Sequence, residues 1–373
     1  MINVRILDTR NHRDVKTWID LPYRLYRNDP LWVPQMVSEA REQLNREEFP
    51  YYQHSDADFL VAEQGGKVVG RIAVLENKRH NQLYQEPIGF FTLFETIDDF
   101  AVAQALFDAA FDWIRQRELK TLIGPKGFLA ADSRGMLVKG FERPPAIGIA
   151  YNPPFYQNFM KRLGFDWEAD YRSGWISTDH EIDERIFRLA DKVQKRYGFE
   201  FRKLQSKEEL RAVVPAIIKA YNAAFVDNWR FLPISPEEGE VIAHSLLAII
   251  PPELPSLIMK NGEVAGFILV YPDISSAIRR ARGKMWPLGW FHLMRGFKRT
   301  EWLNLNGGGV LPQYQGRGVD AMLIAELVKT LRASPYKYAE IVQINENNEK
   351  MQREMAAFGV NFDKRHRVFR REV

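Results

Sequence analysis

The residues best placed to do chemistry lie in one run, Leu311-Pro312-Gln313-Tyr314-Gln315-Gly316-Arg317-Gly318. The stretch Trp302–Val310 before it reads as a strand. After it, Val319, Leu323 and Leu327, with Ile324, Val328 and Leu331, recur at helical spacing. A strand, a glycine-rich turn and a helix N-terminus together make an anion site. Glycines let the main chain approach a ligand closely, and the unpaired N–H groups and dipole of the first helical turn favour negative charge. A pyrophosphate fits that description. An isolated G-x-G serves equally well as plain strand-to-helix geometry, so the wider context has to decide. Other chemistries are closed: the chain has no cysteine, and its seven histidines (His12, His54, His80, His180, His244, His292, His366) share no ligand spacing, so no metal is expected.

The elements that must hold this turn come in two similar sets. Phe59–Val74 is two apolar runs around Gly65-Gly66, and Ser256–Val270 is two apolar runs around Asn261-Gly262; both read as β-hairpins, and they align at a spacing of 196 residues. Met160-Lys-Arg-Leu-Gly164-Phe165 matches Met355-Ala-Ala-Phe-Gly359-Val360 at nearly the same offset, each a helix ending at a glycine. Two echoes at nearly one offset suggest an internal duplication, although hairpins and Gly-capped helices are also common by chance. The first half predicts strand 4–7, helices between 18 and 48, the hairpin, strand 89–95, helix 100–117, and strands near 122 and 167–176. The second predicts strand 199–204, helices 207–225 and 236–249, the hairpin, strand 302–310, helix 319–333, strand 338–344, helix 347–358 and a closing strand near 366–370. Domains are expected at 1–178 and 199–373, with 179–198 as a linking helix.

A chain of 373 residues suits two cores better than one. With 46% apolar and 27% charged residues it has the composition of a folded globular protein. A net charge of +4 is too mild for a nucleic-acid binder and is compatible with a site for a phosphorylated ligand. No apolar leader and no run of about 18 apolar residues is present, which reads as a soluble cytoplasmic protein without an integral membrane segment.

The full context V-x-P-x-Y-Q-G-x-G-V resembles motif A of the GNAT acyltransferases, whose core [Q/R]-x-x-G-x-[G/A] falls on Gln315-Gly316-Arg317-Gly318-Val319-Asp320. Val310 at the end of the bulged fourth strand, Pro312 and Tyr314 match as well. The resemblance is strongest over Trp302–Leu327, and element order extends it over Phe199–Val373. It implies an α/β fold of the α+β type: two GNAT-like domains, each a mixed, mostly antiparallel sheet flanked by helices. It further implies that backbone N–H groups of Gln315, Gly316, Arg317, Gly318, Val319 and Asp320 hold the pyrophosphate of acetyl-CoA or a longer acyl-CoA. Gly309 and Val310 would pair with the pantetheine, and Asn348 would face the cofactor arm. Two positions depart from the family: Asp320 stands where Gly or Ala is usual, and Met355 stands near the usual tyrosine general acid.

Acyl transfer to an amine needs a base, and Glu301 and Glu346, at the ends of the two central strands, are the candidates; each reads equally as a solvated surface carboxylate. Tyr221, Asn228 and Trp229, after the first helix of the second half, suit an acceptor wall or ordinary helix-end packing. The insertion 276–299 interleaves Arg and Lys with Trp, Phe and Met. It can lie on a membrane, line a path for a long acyl chain, or form a lid over the cofactor. In the first half, Glu95-Thr-Ile-Asp98-Asp99 puts acids where a pyrophosphate would need amides, so that domain is expected to lack an acyl-CoA site. The expected activity is acyl-CoA-dependent N-acylation, most simply N-acetylation, of a small-molecule primary amine. The alternatives are a long-chain acyl-CoA acting on a lipid or sphingoid amine, and a non-catalytic CoA-binding protein.

Overall fold

In a computed structural model covering Met1–Val373, the first half runs β1 (Ile2–Ile6), α1 (His12–Leu25), α2 (Val37–Leu44), β2 (Asp56–Gln64), β3 (Lys67–Glu76), α3 (Lys78–Tyr84), β4 (Ile88–Thr96), α4 (Phe100–Gln116), β5 (Thr121–Gly124), β6 (Met136–Lys139), α5 (Tyr156–Arg162) and β7 (Asp166–Ser177). The second continues α6 (Arg185–Tyr197), β8 (Glu200–Arg202), α7 (Lys207–Ala224), α8 (Pro236–Ile249), β9 (Ser256–Lys260), β10 (Glu263–Pro272), α9 (Ser275–Ala281), α10 (Gly289–Arg299), β11 (Trp302–Val310), α11 (Val319–Arg332), β12 (Tyr338–Asn345), α12 (Glu349–Ala357) and β13 (Asn361–Glu372). Helices start where the sequence supplies caps. Asn11 accepts from the N–H groups of Arg13 and Asp14 ahead of α1, and Ser235 and Glu238 form a reciprocal capping box ahead of α8.

The chain divides into two units that are not contiguous in sequence. The first comprises Met1–Tyr171, Ser275–Arg295 and Lys364–Val373; the second comprises Arg172–Ile274 and Gly296–Asp363. A single cut near residue 178 therefore misses two exchanges: the insertion and the last strand both leave the second half for the first unit. Periodicity locates elements but not their neighbours, so it could not reveal either exchange.

The first unit has strand order β1-β2-β3-β4-β5-β13-β7, with β4 and β5 parallel and the other described pairs antiparallel. Helix α4 lies on it, burying Val102, Leu106, Phe107 and Ile114 against Leu60, Ile72, Val74 and Phe91. Each large side chain so buried contributes about 1.5–3 kcal/mol. The second unit has order β7-β12-β11-β10-β9-β8, with β11 and β12 parallel. Leu327 and Leu331 of α11 pack on Val270, Leu303 and Ala339, while α7 packs on β10 and β11.

The duplication read in the text recurs in the strand register. In the first unit the β3–β4 ladder shifts between Arg71 and Ala73, and in the second the β10–β11 ladder shifts between Ile268 and Val270. Each bulge follows a short parallel segment along its strand, Ile88–Phe90 of β4 beside β5 and Trp302–Leu305 of β11 beside β12. A bulge bends its strand and ends regular pairing, which opens the sheet beside it.

Candidate active site

β11 pairs with β12 only from Trp302–Leu305 to Tyr338–Ile341. Beyond the bulge its other edge still pairs with β10, as Gly308 with Ile268, Gly309 with Phe267 and Val310 with Gly266. The edge of residues 306–310 that would face β12 is thus left open for about 16 Å at 3.3 Å per residue. Open N–H and C=O groups on such an edge suit an extended amide-bearing ligand.

The slot ends in the glycine-rich turn. The Gln315 side chain spans it, donating from Nε2 to the Val310 carbonyl at 3.1 Å. Gly318 precedes α11 with φ +83° and supplies no side-chain cap, so the first-turn N–H groups of Val319 and Asp320 have no i−4 acceptor within the helix. Gly316 has φ +71° and open space around the position a Cβ would occupy. Asp320 is half-buried and turns one carboxylate oxygen to the N–H of Ala321 at 3.1 Å. That hydrogen bond orients the acid along the helix start.

Helix α6, expected only as a linker, is part of this unit and packs Ala190 and Val193 against Val319 and Met322. A Cβ on Gly318 would lie 2.7 Å from Val193. Arg188, Lys192, Lys195 and Arg196, with Asp191, line a concavity of about 540 Å³ on α6. These charges are exposed on the face of α6 opposite Ala190 and Val193, the pair that meets the turn. The amphipathic, charged character of this stretch was visible in the sequence; the contact of its apolar face with the turn was not.

The other expected site residues are scattered. Glu301 lies at the far end of β11, half-exposed and ion-paired to Lys337 at 2.6 Å. Glu346 follows β12 at the same end as Val310, and its carbonyl accepts from Gln352 Nε2 at 2.7 Å. Asn348 caps α12, its side-chain oxygen accepting from the Met351 N–H at 3.1 Å. Tyr221 stacks on Phe225 at 4.4 Å and reaches Phe267 at 6.5 Å. A Cβ on Gly309 would lie 2.8 Å from Ala224 and 3.3 Å from Phe225, so the end of α7 leans on the open strand. Asn228 and Trp229 lie in the turn beyond, where Asn228 serves by its backbone, as donor to Phe225 and acceptor from Phe231.

Sequence reading missed a polar row at the vertex of the slot. Asn304 stands in register with Tyr271 on one side and Glu340 on the other. All three are buried, on the sheet face away from α11. Asn304 is 0% exposed and neither of its amide atoms has a hydrogen-bond partner. Asn306 Nδ2 donates to the Tyr271 hydroxyl at 3.1 Å, and burial pushes that phenol up to about 12. An unsatisfied buried amide costs roughly 1–3 kcal/mol, so its presence asks for a ligand or a function. The sequence signal was Leu303-Asn304-Leu305-Asn306, strict alternation in a central strand.

The corresponding place in the first unit is filled by its own side chains. Glu95 pairs with Arg71 across β3–β4 as Gly309 pairs with Phe267 across β10–β11. Tyr26 and Tyr156 donate to Glu95 Oε2 at 2.6 and 3.0 Å, and buried Arg71 lies over Trp18. Ahead of α4, the Asp99 carboxylate accepts from the Ala101 N–H at 2.9 Å, where α11 has Gly318. Burial drives the Glu95 carboxyl from 4.5 up to about 7, the Arg71 charge and the two hydroxyls opposing it. A carboxyl raised in the folded state binds its proton more tightly there than when unfolded. Its contribution to stability is therefore complete below pH 4.5 and is lost as pH rises to 7, in total about 3 kcal/mol. Thermal melts from pH 5 to 8 should show wild type losing stability relative to Glu95→Gln; parallel curves would show that Glu95 ionises normally.

No protein-family model matches the chain. It is 26% identical over 373 residues to Protein YghO of Escherichia coli, covering 97% of this chain and 94% of that one. It is 28% identical over 300 residues to the bacterial ceramide synthase of Caulobacter vibrioides, covering 78% and 76%. Among solved structures it superposes on a tandem GNAT protein from the clavulanic acid biosynthesis pathway with TM-score 0.58 and 14% identity, covering 100% of this chain and 98% of that one. A GCN5-related N-acetyltransferase from Sphaerobacter thermophilus gives TM-score 0.52 at 14% identity, with 100% and 95% covered. At those identities the likeness is one of architecture, and it agrees with the repeated bulge, the repeated parallel pair and the mixed sheets of both units. The chain has the tandem GNAT fold.

Proposed function

We propose that this protein is an acyl-CoA-dependent N-acyltransferase whose reacting site lies in the second unit. The observation that carries the reading is the open edge of β11 running directly into the uncapped, glycine-lined N-terminus of α11. The main-chain N–H groups from Gln315 to Asp320 would take the pyrophosphate, with exposed Arg317 adding positive potential. Gly309 and Val310 would pair with the pantetheine, and the thioester would reach toward the vertex at Leu305.

In the proposed reaction the amine nitrogen forms an amide bond to the acyl carbon while the carbon–sulfur bond breaks, and the amine proton leaves to a base as the thiolate departs. With the phosphates at the Val310 end, Glu346 stands at the phosphate end of the slot and Glu301 beyond the other end of the strand. The row Tyr271, Asn304 and Glu340 stands at the reacting end. Asn304 would orient the acceptor or polarise the carbonyl, and Glu340 joins Glu346 and Glu301 as a candidate base. Asn304→Leu is expected to keep its melting temperature, since it removes an unsatisfied buried amide, and to keep acyl-CoA affinity. Its turnover should fall at least about tenfold, as for loss of one positioned hydrogen-bonding group. Amine-dependent release of CoA over an acceptor panel reads this directly, and unchanged turnover would remove Asn304 from the site.

A second, narrower reading takes a long-chain acyl-CoA and a lipid amine. The relative from Caulobacter vibrioides named bacterial ceramide synthase favours it, because a ceramide is an N-acylated long-chain base. Calorimetry with acetyl-CoA and palmitoyl-CoA separates the readings: equal affinity and a preference for short amines would leave only the broader one.

A further inference from the structure

The chain exposes twelve large apolar side chains, and six of them fall between residues 285 and 294: Met285, Trp286, Leu288, Trp290, Phe291 and Met294. Trp286 is 79% exposed and Leu288 is 64% exposed. Single exposed apolar residues are ordinary, whereas a contiguous group is a contact surface awaiting something apolar.

The surface is built, not frayed. Its base is tied down by the Val37 N–H donating to the Gly283 carbonyl at 2.8 Å and by the Tyr23 hydroxyl donating to the Arg282 carbonyl at 2.9 Å. Ala277, Ile278 and Ala281 of α9 are buried. The turn that follows is closed by the Trp290 N–H on the Met285 carbonyl at 2.9 Å and by the Trp290 indole N–H on the Pro287 carbonyl at 3.1 Å. Gly289 sits so close to the Lys284 carbonyl, 1.6 Å from where a Cβ would be, that no side chain fits there. The tryptophan, leucine and phenylalanine are thus held outward by a fixed turn and the first turn of α10.

The charge pattern says what covers them. Residues 275–299 contain no Asp or Glu. Exposed Arg279, Arg280, Arg282 and Lys284 stand before the apolar group, and exposed Arg295, Lys298 and Arg299 after it. These seven positive charges exceed the +4 of the whole chain, so the remainder is net acidic and the excess charge is concentrated at this patch. Tryptophan and phenylalanine rimmed by bases match the boundary between acyl chains and anionic headgroups, where aromatic rings lie at headgroup depth and Lys and Arg meet the negative surface. No helix of the protein is long and apolar enough to cross a membrane. We infer that residues 284–299 dock this protein on an anionic lipid surface, with Met285, Trp286, Leu288, Phe291 and Met294 entering the interface and α10 lying along it.

The inference goes beyond acyl transfer and is tested apart from it. Full-length protein is sedimented with phosphatidylcholine vesicles, with and without phosphatidylglycerol. Wild type should partition to the anionic vesicles and be released by salt. Trp286→Ser/Leu288→Ser/Phe291→Ser and, separately, Arg295→Gln/Lys298→Gln/Arg299→Gln should each lower partitioning at least about tenfold. Thermal melts and acyl-CoA calorimetry on the same preparations should match wild type. Loss of acyl-CoA binding with vesicle binding intact would instead count against the acyltransferase reading alone. The docking inference is overturned if wild type stays in the supernatant, if the apolar variant sediments like wild type, or if size exclusion finds a dimer of wild type that the apolar variant abolishes.

Discussion

Gly316→Val is expected to raise the dissociation constants for acetyl-CoA and palmitoyl-CoA by about a hundredfold or more, a loss of roughly 2.7 kcal/mol, while the protein stays folded. Gly316 is the informative position because nothing lies within 4 Å of its absent Cβ, so a side chain there meets only what binds in the turn. Its φ of +71° makes valine strained, at about 1–2 kcal/mol, which a thermal melt registers as a small shift. Gly318→Val is the contrasting variant. There the new side chain would strike Val193 at 2.7 Å as well as adopt φ +83°, so stability and binding should fall together. Calorimetry finding Gly316→Val with wild-type affinity for both thioesters would remove the pyrophosphate site, and acyl transfer with it.

Ending the chain after Asp363 should abolish cooperative folding of the first unit, although the residues removed are the last ten of the sequence. Residues 364–373 supply the strand between β5 and β7 of that unit, pairing Phe369 with Gly124, Arg370 with Ile123 and Glu372 with Thr121. Lys364, His366 and Val368 are buried. Arg367 grips both oxygens of Asp170 at 2.8 Å each, with the carboxylate 1% exposed. Removing that guanidinium strands a buried charge at a cost of roughly 3–5 kcal/mol. Losing the β5 ladder and the Val368 packing adds more, against a typical domain stability of about 5–15 kcal/mol. Limited proteolysis and calorimetric unfolding should show residues 1–171 cleaved rapidly and one transition missing. A truncated protein that melts like the full chain would mean that β13 is dispensable to the first unit.

Much of the fold was legible because its signals are local. The Asn261-Gly262 hairpin has its positive φ angles, 52° and 81°, and the Val319, Leu323, Leu327 and Leu331 stripe is the buried face of α11. The hairpin echo across 196 residues corresponds to two units with the same bulge after the same parallel segment. Short elements without a full period, such as α3 and β6, left no such signal, and the helices of the 275–299 insertion were not read as helices at all.

The candidate site divides along the same line. By itself the sequence determined the anion turn, its glycines, the strand before it and the helix after it, because backbone φ, capping and periodicity are properties of adjacent residues. Only the tertiary structure decided that β11 parts from β12 after Leu305, that Val193 of α6 rests on Gly318, and that Tyr271, Asn304 and Glu340 meet on three strands. It alone decided that residues 364–373 complete the first unit and that 275–295 belong there too. Those are matters of register and burial between segments tens to hundreds of residues apart, settled by which packing leaves fewest polar groups unpaired and most apolar surface covered.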